Sequence, residues 1–210
     1  MRKMEANIRA AVKQLARTLN ANFTHKDLYI TLKYDDEHLP EDWKRQEKDR
    51  AEFIRRMKSA LKRQGIRDTK WVSVCSEVDG KTGEAVRPHI HIPISGDGIT
   101  FRDGEWWIGN ENLTELWGKG SVYAEPMRRQ KDYTALAIYL IRQAGRQTDR
   151  RKYHTSRNMV KPTVEEFIAL TDRKMQAPAG AVTVEKQYNA LTGANYLRYI
   201  KPEKTAKRAG

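Results

Sequence analysis

The sequence predicts an α+β protein with a central antiparallel sheet and helices on one face of it. Helix-like and strand-like segments follow one another in the order αβαββ…βα, the central strands are joined by hairpin turns, and no internal repeat interrupts the order. The chain has 210 residues, of which 39% are hydrophobic. That is enough for one well-packed domain with an appendage, but too little for two large enzyme domains.

The first half of the chain contains the clearest elements. Apolar residues recur every three or four positions over residues 4–22, which predicts an amphipathic helix. Residues 28–34 are β-branched and aromatic and predict a strand. Residues 41–64 carry one apolar stripe and end before Gly65, which predicts a second helix.

The next elements alternate between strands and turns. Strands are predicted over residues 71–78 and 86–95, joined as a hairpin by the turn sequence DGKTG. The pair Asp103-Gly104 predicts a smaller second hairpin. A short helix over residues 112–117 and a short strand over residues 121–125 follow.

A helix is predicted over residues 133–143, capped by Asp132, and a further short helix over residues 163–170. Beyond Asp172 the pattern weakens. We therefore expect three parts: a helical extension over residues 1–26, a main domain over residues 27–172, and a basic tail over residues 173–210.

The net charge of +13 predicts a polyanionic partner, most commonly nucleic acid. More than half of this surplus lies between positions 128 and 161, around an apolar segment and interleaved with tyrosines. Such a mixture suits a surface that contacts phosphates and stacks bases, although a solvated helix face can look the same. The candidate DNA-binding residues are Arg128, Arg129, Lys131, Arg146, Arg150, Arg151, Lys152 and Arg157.

Several classes of protein are excluded by composition. No apolar run is long enough for a membrane span, and the N-terminus lacks a signal-peptide core. The single cysteine, Cys75, rules out an intrachain disulfide and fits a reducing cytoplasm. The tripeptide Gly80-Lys81-Thr82 is not a P-loop, because Cys75 stands where the motif needs glycine and the tripeptide lies between two strands.

Two histidines form a candidate metal site. His89 and His91 are separated by one residue in a predicted strand, so both side chains project from the same face. Glu77, on the preceding strand of the hairpin, can add a carboxylate oxygen to the same ion. This ligand set suits Mn²⁺ or Mg²⁺ and also permits zinc, whereas two ordinary strand histidines are the structural alternative.

A nucleophile for such a metal site is available in the predicted helix over residues 133–143. Tyr139 is followed at i+3 and i+4 by Arg142 and Gln143, which lie on neighbouring parts of the same helix face. A phenol near a bound metal can attack a phosphodiester. Tyr133, roughly 120° away around the helix, is the rival nucleophile, and a core tyrosine is the structural alternative.

These segments together resemble the three ordered motifs of the HUH (His-hydrophobic-His) endonucleases, specifically the rolling-circle replication initiators of phages and plasmids. The resemblance covers residues 27–162. It is carried by YITLKY (residues 29–34), Glu77 with RPHIH (87–91), and YLIR (139–142), with additional similarity in WGKGSV (117–122) and YHTSRN (153–158).

The resemblance implies a sheet of ferredoxin or RRM-like topology that carries the histidines, with the tyrosine helix beside it. It implies that Tyr139 attacks a specific phosphodiester of single-stranded origin DNA, becomes linked to the 5′ phosphate and leaves a 3′ hydroxyl. By position, His89 and His91 are metal ligands and Glu77 is the third. Arg142 stands where the initiators usually have lysine, keeping the charge but being far less able to shuttle a proton.

As an initiator in a prokaryotic host, the protein would need a host helicase, since the chain has no helicase motif, and a host DNA polymerase to extend the 3′ end. Two alternatives remain open. One is a single-strand transposase or mobilisation relaxase with the same chemistry. The other is a non-catalytic RRM-like module in which Tyr29, Tyr34 and Trp71 stack bases.

Overall fold

The computed structural model describes residues 2–145, 151–162, 175–189, 191–192 and 195–200. The chain divides into two compact units, Met1–Pro162 and Thr163–Gly210. The elements of the first unit are α1 (Arg2–Asn22), β1 (Leu28–Tyr34), α2 (Trp43–Arg63), β2 (Val72–Val78), β3 (Ala85–Ile94), β4 (Ile99–Arg102), β5 (Glu105–Ile108), β6 (Glu111–Asn112), α3 (Leu113–Trp117), β7 (Gly120–Pro126), α4 (Thr134–Gln143) and β8 (His154–Thr155).

The predicted α+β class with an antiparallel central sheet is confirmed. Five strands pair in the order β7-β1-β3-β2-β8, and each of these pairs is antiparallel. A separate small sheet of β4, β5 and β6 contains the second predicted hairpin. The predicted helix over residues 163–170 and the predicted DNA contacts Arg146 and Arg150 lie outside the described residues.

Helices pack on both faces of the central sheet, so the prediction of helices on one face is wrong. The reason is that the central strands are apolar on both sides. One face of the sheet packs against α2 and contains Ile90, Ile92, Phe53, Met57 and Leu61. The other packs against α1 and α4 and contains Val72, Val74, Leu15, Leu19 and Leu140.

Local hydrogen bonds shift the predicted helix starts by one or two residues. The α2 helix begins at Trp43 because Asp42 is the N-cap, and its carboxylate accepts the backbone N–H of Arg45. The N-cap of α4 is Tyr133 rather than Asp132. The Asp132 carboxylate still accepts the backbone N–H of Thr134 at 2.6 Å, so it supports the same helix end from one position further out.

The segment over residues 117–122 packs against β1 at the backbone of Lys33. The indole Nε1–H of Trp117 donates to the carbonyl oxygen of Lys33 at 2.9 Å. Gly120 approaches the same strand so closely that an added Cβ would lie 2.4 Å from that carbonyl oxygen. Position 120 therefore requires glycine, and the backbone of Lys33 is held from two sides.

An ion-pair cluster attaches the short strand β8 to the sheet and to α2. The Glu47 carboxylate lies 2.7 Å from Arg50 and 3.1 Å from His154. Burial alone would raise the pKa of Glu47, but the hydrogen bond from His154 and the charge of Arg50 lower it from 4.5 to about 2. Because this pKa is lowered in the folded state, the stabilisation is present above pH 4.5 and is lost as the pH falls toward 2.

We therefore expect Glu47→Gln to reduce the acid sensitivity of the fold. The difference in unfolding free energy between wild type and variant should shrink by about 3 kcal/mol between pH 5 and pH 2, measured by urea denaturation at a series of pH values. Glu52→Gln is the control, because the Glu52–Arg56 pair on the same helix is exposed and such pairs contribute little. Equal slopes for wild type and Glu47→Gln would contradict the expectation.

The second unit contains a hairpin of β9 (Val182–Tyr188) and β10 (Asn195–Ile200), paired antiparallel with a shift in register between Arg198 and Tyr199. The sequence predicts only a basic tail in this region. Its strands are rich in polar residues, which weakens the alternation that identifies a strand. Over the part of the chain that the structure describes, no helix has the length and apolarity needed to cross a membrane.

Candidate active site

The candidate site is built around His89 and His91 on β3. Their Nε2 atoms lie 3.0 Å apart, and the ring centroids are 4.6 Å apart with the planes nearly perpendicular. The two side chains converge because residues two apart in a strand share a face. His91 is 4% exposed, whereas His89 is only partly buried, so the pair opens to solvent on the side of His89.

Backbone and side-chain contacts orient both rings. The Nδ1 of His89 lies 2.9 Å from the carbonyl oxygen of Arg87, which can only accept, so this Nδ1 carries the proton. In the neutral ring, the lone pair is then on Nε2 and points toward His91. The Nδ1 of His91 lies 3.2 Å from the hydroxyl of Thr31, and the ring of Tyr29 stacks on His91 at 5.4 Å.

The environment of His91 keeps its ring neutral. Burial and the neighbouring His89 lower the pKa of His91 to about 3, although the hydrogen bond with Gln143 opposes this shift. A neutral imidazole binds a metal through the nitrogen that lacks the proton. Because the Gln143 oxygen and the His89 lone pair both accept, the proton of His91 is on Nε2, and metal binding there would require it to move to Nδ1, beside the Thr31 hydroxyl. Burial also raises the pKa of the Tyr29 phenol, and the neighbouring Tyr139 and Glu125 raise it further.

The two tyrosines of the α4 region have different surroundings. Tyr139 is 43% exposed, and its ring centroid lies 5.6 Å from that of His91. Tyr133 is 6% exposed and belongs to the core between α1 and α4, where burial raises the pKa of its phenol. Tyr139 is therefore the tyrosine of this helix that lies at the histidine pair and is open to a ligand.

Gln143 is a site residue that sequence analysis did not assign. Its Oε1 lies 2.5 Å from Nε2 of His91, and its side chain is buried. The available signal was the i, i+4 spacing from Tyr139, which places both side chains on one helix face. Gly80, in the turn between β2 and β3, permits this arrangement, because an added Cβ there would lie 3.2 Å from Cγ of Gln143.

Glu77 lies at the edge of this arrangement. The residue directly opposite His89 is Ser76, and Glu77 comes one position later, where the pairing of β2 with β3 shifts register. Ser76 has the orientation of the histidines, because directly opposed residues of an antiparallel pair share a face. The role of Glu77 as a ligand stays a prediction, and the oxygen that lies against His91 belongs to Gln143.

The atoms around the histidine pair fit a divalent cation. Two adjacent ligands of an octahedral ion, each at about 2.1 Å, are separated by about 3.0 Å, and the two Nε2 atoms have this spacing. The Gln143 oxygen is a third possible donor, but its 2.5 Å distance from Nε2 of His91 is that of a hydrogen bond, so it would have to move away by about 0.5 Å to share the ion. No group of three His, Cys, Asp or Glu side chains suited to a metal occurs among the described residues.

The predicted basic residues are mostly at the surface. Arg142 is exposed on α4, one turn after Tyr139. Lys152 differs, because its ammonium donates to the carbonyl oxygen of Gly145 at 2.7 Å at the end of the same helix. Of the other candidate DNA contacts that the structure describes, all are exposed: Arg128, Arg129, Lys131, Arg151 and Arg157.

The fold and the similarity to a known family indicate the same class of protein. An antiparallel sheet flanked by helices in this way is an RRM-like fold, a class that includes many binders of single-stranded nucleic acid. Residues 27–144 match the model of a family described as Replication-associated protein ORF2. Because the match covers more than half of the chain, the protein belongs to this family and is a replication-associated protein of the initiator (Rep) kind.

The matched region begins just before β1 and ends just after α4, so it includes both histidines, Tyr139 and Gln143. No curated protein and no solved structure is significantly similar to the chain.

Proposed function

We propose that the protein is a single-strand DNA nickase and ligase of the HUH type that starts rolling-circle replication. The observation that carries the proposal is the approach of the exposed phenol of Tyr139 to His91, in a site where Nε2 of His89, Nε2 of His91 and Oε1 of Gln143 converge. The family match supports the replication context, since its members are replication-associated proteins.

Tyr139 is the nucleophile on this proposal. Its Oη forms a bond to the phosphorus of one phosphodiester, and the bond from phosphorus to the 3′ oxygen breaks. The 3′ oxygen leaves with the bonding electron pair and gains a proton, while the phenol loses one, so no net proton is consumed. The products are a 5′-phosphotyrosine and a free 3′ hydroxyl, and the reverse attack by a 3′ hydroxyl reseals the strand.

His89, His91 and Gln143 would hold a divalent cation, Mn²⁺ or Mg²⁺. When bound, such an ion polarises a non-bridging phosphate oxygen and offsets the charge of the transition state. The protein itself contributes orientation. Arg87 and Thr31 hold the two imidazoles, and the helix carries Tyr139 and Gln143 together toward them.

Arg142 is a permanent cation one turn from Tyr139 and is suited to contact a phosphate next to the reacting one. The exposed basic residues around α4 would attract the strand electrostatically. The partners on this proposal are single-stranded origin DNA, a host helicase that opens the duplex and a host polymerase that extends the 3′ hydroxyl.

The test is a cleavage assay with the full chain, Mn²⁺ and single-stranded oligonucleotides that tile a candidate origin. We expect a protein–DNA adduct that survives denaturation, forms only with the metal present, and maps by mass spectrometry to the peptide that contains Tyr139. Cleavage without an adduct, or an adduct on another residue, would contradict the proposed mechanism.

A further inference from the structure

Part of the sheet face that carries the histidines is exposed to solvent. Helices α1 and α4 pack over the β2 side of this face, against Val72 and Val74. On the other side, strands β1 and β7 present Lys33 and Tyr123, both exposed, and the tyrosine is 56% exposed. This exposed part begins directly beside the candidate site, since Lys33 is paired with His89.

The strand register aligns these residues with the histidines. Lys33 lies directly opposite His89, and Thr31 lies opposite both His91 and Tyr123. Directly opposed residues of an antiparallel pair have side chains on the same face, with Cβ atoms about 5 Å apart. Since neighbouring strands are about 4.8 Å apart, Tyr123 is about 10 Å from His91 across the sheet.

The position of Lys33 is fixed and its charge is available. Its carbonyl oxygen accepts the indole N–H of Trp117, and Gly120 packs against the same carbonyl. Among the residues that the structure describes, no carboxylate forms a salt bridge with Lys33. A lysine ammonium next to a phosphodiester site binds phosphate oxygens and displaces counterions.

At the β7 edge of the sheet lies an aromatic groove, which we define by Phe101, Trp106 and Tyr123; Tyr123 belongs to the histidine face, whereas Trp106 packs against the core on the α2 side. The groove lies between β7 and the β4–β5 hairpin and has a volume of about 680 Å³. Phe101 is 61% exposed, and its ring centroid lies 5.1 Å from that of Trp106. Exposed aromatic side chains beside basic groups are typical of surfaces that bind single-stranded nucleic acid by stacking.

Two carboxylates also line the groove, and both accept hydrogen bonds. Glu105 accepts from the Asn112 amide at 2.6 Å, and Glu125 accepts from the Tyr123 hydroxyl at 3.2 Å. Carboxylates accept from the exocyclic amino groups of bases, as they do from cytosine N4. These two groups therefore suit contact with base edges rather than with phosphates.

We propose that Lys33, Tyr123 and the aromatic groove form the path of the single strand next to the reacting phosphate. Lys33 contacts the phosphate adjoining the site, Tyr123 stacks on the next base, and the groove receives the bases beyond it. The inference rests on the proposed function in one respect, since it takes the bound strand to be the DNA that is cleaved at Tyr139.

The test measures binding without cleavage. The full chain is titrated against a fluorescein-labelled oligodeoxynucleotide of mixed cytosine and thymine, about 16 nucleotides long, in chelator, by fluorescence anisotropy. We expect Tyr123→Ala to raise the Kd about tenfold and Tyr123→Phe to restore binding, because the ring is retained. We expect Lys33→Ala to raise the Kd about threefold at low salt and to reduce the slope of log Kd against log salt by roughly 0.7.

Lys58→Ala is the matched control, because it removes the same charge from an exposed position on α2, which packs on the opposite face of the sheet. Wild-type affinity and slope for both Lys33→Ala and Tyr123→Ala would overturn the path. A second measurement does not depend on variant folding: an oligonucleotide with 5-iodouracil is photo-crosslinked to wild-type protein. Crosslinks to the peptide with Tyr123 support the path, and crosslinks confined to α2 overturn it.

The two proposals fail separately. An adduct at Tyr139 together with unchanged binding of the Lys33 and Tyr123 variants would leave the nickase standing and remove the path. Weakened binding of these variants in a protein that forms no adduct would leave a single-strand binding surface and remove the nickase.

Discussion

Replacing Tyr139 with Phe is expected to reduce the covalent protein–DNA adduct by roughly a thousandfold or more, because the oxygen that bonds to phosphorus is lost. The side chain is 43% exposed and keeps its ring, so the fold and the contact with His91 should be preserved. The adduct is measured on denaturing gels with labelled single strand and Mn²⁺. Binding of the strand in chelator should change little, which separates lost chemistry from lost affinity.

Tyr133→Phe is the matched control, since it makes the same change on a tyrosine at the start of the same helix. Its ring is buried between α1 and α4, away from the histidine pair, so the adduct should persist. Loss of the adduct with Tyr133→Phe but not with Tyr139→Phe would reverse the two assignments. Loss of the adduct in both single variants, Tyr139→Phe and Tyr133→Phe, would indicate a mechanism that uses both phenols.

His89→Ala is expected to weaken Mn²⁺ binding by about a hundredfold and to reduce cleavage at least as much, because one of two imidazole donors is removed. His89 is the more accessible of the pair and makes its oriented contact to the carbonyl of Arg87, so its loss should disturb the core less than loss of His91. Metal affinity is read by electron paramagnetic resonance of free Mn²⁺, independently of activity. Unchanged affinity would exclude His89 as a ligand.

Two further variants identify the third ligand. Gln143→Leu keeps the size of the side chain and removes the oxygen that lies 2.5 Å from His91, so Mn²⁺ affinity should fall about tenfold or more. Glu77→Gln should leave the affinity within about twofold, because the position opposite His89 is Ser76. A larger loss of Mn²⁺ affinity with Glu77→Gln than with Gln143→Leu would establish the Glu77 carboxylate as the third ligand and exclude the Gln143 amide.

Much of the fold follows from local sequence patterns. The apolar stripe of α2 and the β-branched run of β1 predict those elements to within two residues, and the DGKTG turn predicts the β2–β3 hairpin. The two-residue strand β8 is too short to carry a periodic signal. It exists because Val72 and Ser73 find partners some eighty residues later.

The site was accessible from the sequence only in part. Alternation along β3 predicts that His89 and His91 project from the same face of the strand. Helical spacing predicts that Tyr139 and Gln143 lie on the same face of α4. Neither pattern says which face of the helix meets the strand. The family resemblance already favoured Tyr139 over Tyr133. Placing Tyr139 at the histidine pair, and finding Gln143 beside His91, required the rotation that α4 adopts when it packs on β2 and α1.

The sequence by itself determined a basic α+β protein with a histidine pair on one strand and a tyrosine helix, because these features depend on residues close together in the chain. Only the tertiary structure decided which side chains meet. The contact of Thr31 with His91 joins residues 60 positions apart, and that of His91 with Gln143 joins residues 52 apart. Such contacts depend on strand register and helix rotation, which are set by packing across the whole sheet rather than by any local pattern.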